Sequence, residues 1–181
     1  VWNQAAGQWR PGNLITIAAS YYADMFQMPN NSDWPVSSFA SMGPDATTPS
    51  LIVCAFDDTS LEGVGFMSNI PATATNMQLV INGRAATAST GSTKNAIFTL
   101  YARAIPNNSA MVPWANVVTT ITIPAAVGNA NFVYNTFSYT LSAMSLTPGI
   151  TYNFELVRNA STGTDTLVGD YNLTELQIGF S

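Results

Sequence analysis

From Leu51 to the end of the chain, short β-forming runs recur every ten to twenty residues, and no helical periodicity interrupts them. Clusters of glycine, proline, asparagine and serine separate these runs, as turns require. The runs are 51–56, 62–67, 76–88, 95–104, 117–123, 132–141, 150–158 and 171–180. This pattern predicts an all-β fold, an antiparallel two-sheet β-sandwich, with a jelly roll as the favoured strand order and an immunoglobulin-like order as the alternative.

The N-terminal segment, residues 1–49, has a different pattern. Its aromatic side chains are spread among proline, glycine, asparagine and serine without a sustained period, and only 14–20 is a strand candidate. The seven aromatic residues are Trp2, Trp9, Tyr21, Tyr22, Phe26, Trp34 and Phe39. Such rings need a surface to bury against, either their own body or a neighbouring subunit. We therefore expect two parts: 1–49 as an aromatic-rich arm or first layer, with a role between subunits, and 50–181 as the sandwich body.

Charge is scarce in this chain. Charged residues make up 8% of it, against about 25% in typical domains, while hydrophobic residues reach 47%. A surface with so few charges would be poorly soluble alone, which favours contact with copies of the same chain. The net charge of −5 and five scattered basic residues leave no stripe that could neutralise a phosphate backbone, so nucleic acid is not an expected partner. No apolar run approaches the roughly 18 residues of a membrane span, and the first residue, Val1, suggests processing or an incomplete start.

The reactive side chains are few. The single cysteine, Cys54, lies in an apolar run, where it is either a small buried thiol or a nucleophile. The chain has no histidine, which removes Cys–His pairs, Ser-His-Asp triads and the usual zinc sites. A pair of carboxylates doing acid–base work is the enzymatic option that remains. We expect a protein that is not an enzyme and needs no cofactor.

Three carboxylates gather at the corner between the first two runs of the body: Asp57, Asp58 and Glu62. Oxygen ligands of this kind could hold Ca²⁺. Their spacing does not match the alternating ligands of an EF-hand loop, however, and we predict no metal site here.

Three of the five basic residues, Arg84, Arg103 and Arg158, lie near the ends of β-forming runs. A partly buried guanidinium favours a carboxylate that accepts two hydrogen bonds. We therefore predict a structural charge network that ties strand ends together, in which each arginine pairs with one nearby carboxylate. The candidate carboxylates are Asp58, Glu62, Glu155 and Asp170.

Several short motifs occur in a fixed order between residues 33 and 181. They are Phe56-Asp57-Asp58-Thr59, Glu62-Gly63-Val64-Gly65-Phe66, Gly83-Arg84-Ala85, Leu100-Tyr101-Ala102-Arg103, Trp114, Phe154-Glu155-Leu156-Val157-Arg158 and Asp165-Thr166-Leu167-Val168-Gly169-Asp170-Tyr171-Asn172-Leu173. Together they resemble a family of small β-sandwich virion structural proteins of tailed bacteriophages. The resemblance implies a capsid decoration or tail-fibre component without enzymatic activity, assembled in the host cytoplasm, whose partners are copies of itself and other virion proteins.

A second function class fits the same architecture. A carbohydrate-binding or host-receptor-binding module is also a β-sandwich without catalytic residues, and it stacks exposed aromatic rings on sugars. The candidate contacts to a host surface glycan or to another subunit are Trp34, Trp114 and Tyr134. Packing in the core is the alternative for each of these side chains.

Overall fold

A computed structural model describes residues 38–46, 51–86, 94–105, 116–125 and 132–181, together with the backbone of three short strands nearer the N-terminus. The strands are β1 (Trp2–Asn3), β2 (Gln8–Trp9), β3 (Ile15–Ala18), β4 (Ser38–Phe39), β5 (Ser41–Pro44), β6 (Ile52–Phe56), β7 (Leu61–Asn69), β8 (Asn76–Ala85), β9 (Lys94–Ile105), β10 (Asn116–Ala125), β11 (Val133–Thr140), β12 (Thr151–Asn159) and β13 (Tyr171–Phe180). None of these described segments forms a helix long and apolar enough to cross a membrane.

Two sheets make up the body. A five-stranded sheet has the order β10-β9-β12-β7-β4, and a six-stranded sheet has the order β11-β8-β13-β6-β5, with β3 also paired to β13. All pairings in these sheets are antiparallel except that of β4 with β7. From β6 onward, consecutive strands alternate between the sheets except at the β9–β10 hairpin, which is the connectivity of a jelly roll. The predicted two-sheet sandwich is therefore confirmed, with the favoured strand order.

The strand boundaries follow the hydrophobic pattern closely. All eight β-forming runs from Leu51 onward are strands, with ends that agree to within three residues. The run 171–180 is β13 without change, and 150–158 appears as β12 one residue later. The last two residues of the run 76–88 lie outside the described residues.

Side chains that alternate along the strands form one core between the sheets. On β8, Met77, Leu79 and Ile81 are buried inward, as the alternation predicts. Aromatic rings join the two layers: the centroid of Phe98 lies 5.1 Å from that of Phe56 and 5.3 Å from that of Tyr171, both edge to face. Such pairs add roughly 0.5–1.5 kcal/mol each to the burial of their area.

Two small residues show how tightly this core is filled. Cys54 is fully buried, and desolvation raises the pKa of its thiol to about 12, so it is a packed thiol and not a nucleophile. A Cβ on Gly83 would lie 2.5 Å from Cε1 of Tyr171 and 2.7 Å from the carbonyl oxygen of Asn172. Glycine at position 83 is what allows β8 and β13 to approach at that point.

Part of the segment 1–49 belongs to the sheets of the body. β3 and β5 lie in the six-stranded sheet and β4 lies at the edge of the five-stranded one. The role of this segment between subunits stays a prediction.

Candidate functional site

Arg158 is fully buried at one end of the sandwich, and all five of its N–H donors have acceptors. Its Nε and Nη2 donate to Oδ2 and Oδ1 of Asp165 at 3.2 and 3.1 Å. Its Nη1 donates to the carbonyl oxygens of Phe56 and Gly169, and its Nη2 also donates to that of Leu167. One side chain on β12 therefore holds the end of β6 and the loop that leads to β13.

Arg84 makes a second buried ion pair, on the outward face of the six-stranded sheet. Its Nη2 donates to Oδ1 of Asp45, and the amide of Asn172 donates to Oδ2 of the same carboxylate at 2.9 Å. The guanidinium carbon of Arg84 lies 4.7 Å from the ring centroid of Phe132, a cation–π distance. Asp45 follows β5, so this cluster ties the edge of the sheet to its centre.

These ion pairs correct the partners predicted from the sequence. Arg158 pairs with Asp165 and Arg84 pairs with Asp45, and neither carboxylate was among the four candidates. The sequence missed these partners because they are set by the tertiary structure. The loop after β12 returns beside β9, where Ile97 N donates to Oδ2 of Asp165 at 2.9 Å. Strand alternation gives the face of a side chain but does not show which loop folds back over it.

Glu155, a predicted member of the network, lies on the face of β12 that points away from the core. It is fully buried, and among the described residues neither of its carboxyl oxygens has a hydrogen-bond partner. Desolvation raises the pKa of Glu155 to about 8, although the positive charge of Arg103 lowers it. The carboxyl group is therefore mostly neutral at pH 7.

The acidic corner between β6 and β7 is organised by its own hydrogen bonds. Oδ1 of Asp57 accepts from the hydroxyl and the amide of Thr59 and from Ser60 N, and these bonds lower the pKa of Asp57. Oε2 of Glu62 accepts from Asp57 N at 2.8 Å. The corner is thus a hydrogen-bonded turn that joins two strands, as its sequence predicts.

The sequence groups Asp57, Asp58 and Glu62 at this corner. In the structure the third carboxylate beside Asp57 and Asp58 is that of Asp170. Carboxylate oxygens of Asp57, Asp58 and Asp170 lie within 4.8 Å of one another. Burial, followed by the charges of Asp57 and Asp58, raises the pKa of Asp170. Oδ2 of Asp58 accepts from Gly169 N at 2.6 Å, so this carboxylate already fastens the loop to the corner. The cluster has the oxygen chemistry that a divalent cation accepts, and the loop contact explains the position of Asp58 without one.

Tyr134 lies on the outward face of the six-stranded sheet and is 61% exposed. Tyr134 on β11 is opposite Asn82 on β8, and Asn82 is opposite Glu175 on β13. The hydroxyl of Tyr134 donates to Oε2 of Glu175 at 2.9 Å. Since neighbouring strands are about 4.8 Å apart, this bond spans two strand spacings, and the ring must lie across β8 over Asn82, which is only 9% exposed.

A further hydrogen bond fixes the carboxylate that holds this ring. The amide of Gln177 donates to Oε1 of Glu175 at 2.6 Å, so the carboxylate receives one donor on each oxygen. The bond to Glu175 and the charge of that carboxylate raise the pKa of Tyr134, which keeps its hydroxyl a donor. We call Tyr134, Asn82, Glu175 and Gln177 the Tyr134 platform: an exposed ring that reaches across β8 to a carboxylate, with two amides on the same face of the sheet.

The sheet face that surrounds the platform is mostly polar. Five residues of β8 and β11 on this face are polar and exposed to solvent: Asn76, Gln78, Thr136, Ser138 and Thr140. Val80 also lies on this face, opposite Thr136 and Gln177, and is buried. An extended hydrophilic chain could lie on such a surface and hydrogen-bond along its length.

Of the three aromatic contact candidates, the structure places Tyr134 on this surface, while Trp34 and Trp114 lie outside the described residues. Asn82, Glu175 and Gln177 were not singled out from the sequence. Alternation along β8 places Asn82 on the face opposite Met77, Leu79 and Ile81, which lie in the core. A register shift between Leu173 and Glu175 brings Glu175 opposite Asn82, on the same face of the sheet. The sequence does not predict this shift.

No protein-family model matches this chain, and no curated protein matches it either. Solved structures of similar shape include a family 36 carbohydrate-binding module of a multidomain xylanase from the hindgut metagenome of Trinervitermes trinervoides. The two chains are 12% identical, the match covers 93% of this chain and 98% of that chain, and the TM-score is 0.49. A family 35 carbohydrate-binding module from Cellvibrio japonicus has 11% identity, 92% coverage of both chains and a TM-score of 0.43. The enzymatically active domain of tailspike protein 4 of bacteriophage CBA120 has 10% identity, 93% of this chain and 19% of that chain covered, and a TM-score of 0.40. At these values the likenesses carry no argument about ligand or partner.

Proposed function

We propose that this protein is a non-enzymatic carbohydrate-binding β-sandwich and that the Tyr134 platform holds the sugar. The observation that carries the proposal is the position of the Tyr134 ring, 61% exposed yet fixed across β8 by its bond to Glu175. A sugar ring has an apolar face of C–H groups that stacks on an aromatic plane. A ring already held in place loses little conformational freedom when a sugar binds to it.

The polar groups of the platform suit sugar hydroxyls. Each oxygen of Glu175 accepts one internal hydrogen bond, from Tyr134 or from Gln177, and keeps a lone pair for a further donor. The side-chain oxygen of Asn82 is buried, so it does not face a bound sugar. The platform therefore combines an apolar stacking surface with the carboxylate acceptors of Glu175 at its edge, the combination found in small-molecule sites.

A glycan array followed by calorimetry on its strongest ligand tests this proposal. Tyr134→Ala should weaken binding at least tenfold, because it removes the stacking surface. Tyr134→Phe should weaken binding less than Tyr134→Ala, because the ring remains but loses the bond to Glu175 that fixes it. Met67→Ala is the control, since Met67 is 50% exposed on the other sheet. An array without hits, or equal affinity of wild type and Tyr134→Ala, would refute the proposal.

A virion structural protein acting through subunit assembly is the second candidate. It is favoured by large exposed hydrophobic side chains on a chain with only 8% charged residues. In the described part of the chain these side chains are Ile52, Met67, Val133, Tyr134 and Val168. Size-exclusion chromatography with light scattering at micromolar protein distinguishes the two: a symmetric oligomer supports assembly, and a monomer that binds glycan supports the first candidate alone.

A further inference from the structure

We infer that the Tyr134 platform accepts neutral or amine-bearing sugars and rejects sugars that carry a carboxylate, with Glu175 as the residue that sets this specificity. The inference rests on the proposed function and adds the substrate class. It follows from the charges on the sheet face around the ring.

Only two residues with a formal charge lie on the outward face of β8, β11 and β13 within their described ranges: Glu175 and Arg84. Arg84 is 5% exposed, and its charge is already balanced by the buried carboxylate of Asp45. It therefore cannot receive an anionic sugar without giving up that pair. Glu175 is half-buried and hydrogen-bonded to the hydroxyl of Tyr134, so the charge that meets a bound sugar is negative.

The hydrogen-bonding capacity of the platform has the same preference. Tyr134 and Gln177 each donate one hydrogen bond to Glu175. The lone pairs that remain on this carboxylate can only accept hydrogen bonds. Sugar hydroxyls and ammonium groups supply the donors that these lone pairs need. A sialic or uronic acid would instead place a second carboxylate beside the first, and like charges repel more strongly near a protein surface than in bulk water.

The test uses one array that carries neutral, amine-bearing, sialylated and uronic-acid glycans. Wild-type protein should bind neutral or amine-bearing glycans. Its affinity for acidic glycans with the same sugar backbone should be at least tenfold lower. Glu175→Gln should reduce this discrimination, because the amide oxygen still accepts from Tyr134 while the charge is gone. Glu62→Gln is the control: it removes the same charge from the distant β6–β7 corner and should leave the discrimination unchanged.

The outcomes separate the two claims. Acidic glycans that bind as well as neutral ones, and lose binding in Tyr134→Ala, would overturn the inference about charge while the platform stands. Equal discrimination by wild type and Glu175→Gln would also overturn it. Binding that survives in Tyr134→Ala would refute the platform itself. Discrimination by wild type that fades as salt is raised supports the electrostatic cause.

Discussion

Arg158 and Asp165 form a bidentate ion pair in which both side chains are at most 1% exposed, with Nε–Oδ2 and Nη2–Oδ1 distances of 3.2 and 3.1 Å. The pair closes one end of the sandwich. It joins β12 to the loop that carries the chain into the other sheet at β13. The acidic corner is attached to the same loop through Asp58 and Gly169.

Arg158→Met should therefore destabilise the protein strongly. The change leaves the buried carboxylate of Asp165 without its cation and removes one donor from each of three carbonyl oxygens, at a cost of roughly 3–5 kcal/mol. Thermal unfolding should show a melting temperature about 10 °C lower. Lys94→Met, at the start of β9, is the matched loss of a cation and should shift stability by no more than about 0.5 kcal/mol. Equal effects of the two changes would mean that the ion pair does not hold the sandwich end.

Two buried tyrosines should respond in opposite ways to the loss of a hydroxyl. The hydroxyl of Tyr171 has no hydrogen-bond partner among the described residues, whereas that of Tyr152 accepts from Thr147 N at 3.0 Å. Tyr171→Phe should be neutral or stabilise by about 1 kcal/mol, and Tyr152→Phe should destabilise by a similar amount. Chemical denaturation of both variants checks this. A destabilised Tyr171→Phe would show that its hydroxyl has a partner after all.

Glu155 should make stability depend on pH. Its pKa is raised by burial to about 8 in the folded state, against a value near 4.5 in the unfolded chain. As pH rises from 4.5 to 8 the unfolded chain releases this proton while the folded protein keeps it, so stability falls by about 1.4 kcal/mol per pH unit across that interval and levels off above it.

Glu155→Gln removes this titration while keeping a similar shape. The variant should match wild type near pH 4 and be clearly more stable at pH 8, as measured by denaturant unfolding at both values. A variant that is less stable than wild type at pH 8 would mean that the folded protein stabilises the charged form of Glu155, for instance through Arg103.

Gly83→Ala should destabilise by roughly 1–3 kcal/mol, because the new methyl group meets the ring of Tyr171 and the backbone oxygen of Asn172. Gly43→Ala, on β5, is the control, since nothing lies within 4 Å of a Cβ placed there. If both changes cost the same in thermal unfolding, the close approach of β8 and β13 is not the cause.

Much of the fold follows from the sequence for a simple physical reason. A strand that is buried on one face must alternate core-facing and outward-facing side chains. The spacing of Met77, Leu79 and Ile81 therefore predicts both the strand and the face that it buries. Alternation along 150–158 likewise places Arg158 on the same face of β12 as Phe154 and Leu156, which lie in the core.

The site was harder to predict because it depends on pairing between distant strands. Tyr134 and Glu175 lie 41 positions apart, and they meet only because β11, β8 and β13 are neighbours and a register shift precedes Glu175. The partners Asp45 and Asp165 were missed for a similar reason: each reaches its arginine from a loop or strand end, where no periodicity applies.

The central claim is that the Tyr134 platform binds sugar, and nuclear magnetic resonance of isotope-labelled protein tests it most directly. Titration with the strongest neutral glycan from the array should shift the backbone amide signals of Asn82, Tyr134, Glu175 and Gln177 first, with smaller changes along β11. In Tyr134→Ala, the signals of Asn82, Glu175 and Gln177 should move far less at the glycan concentration that saturates wild type. Shifts confined to the five-stranded sheet, or none at saturating glycan, would contradict the account.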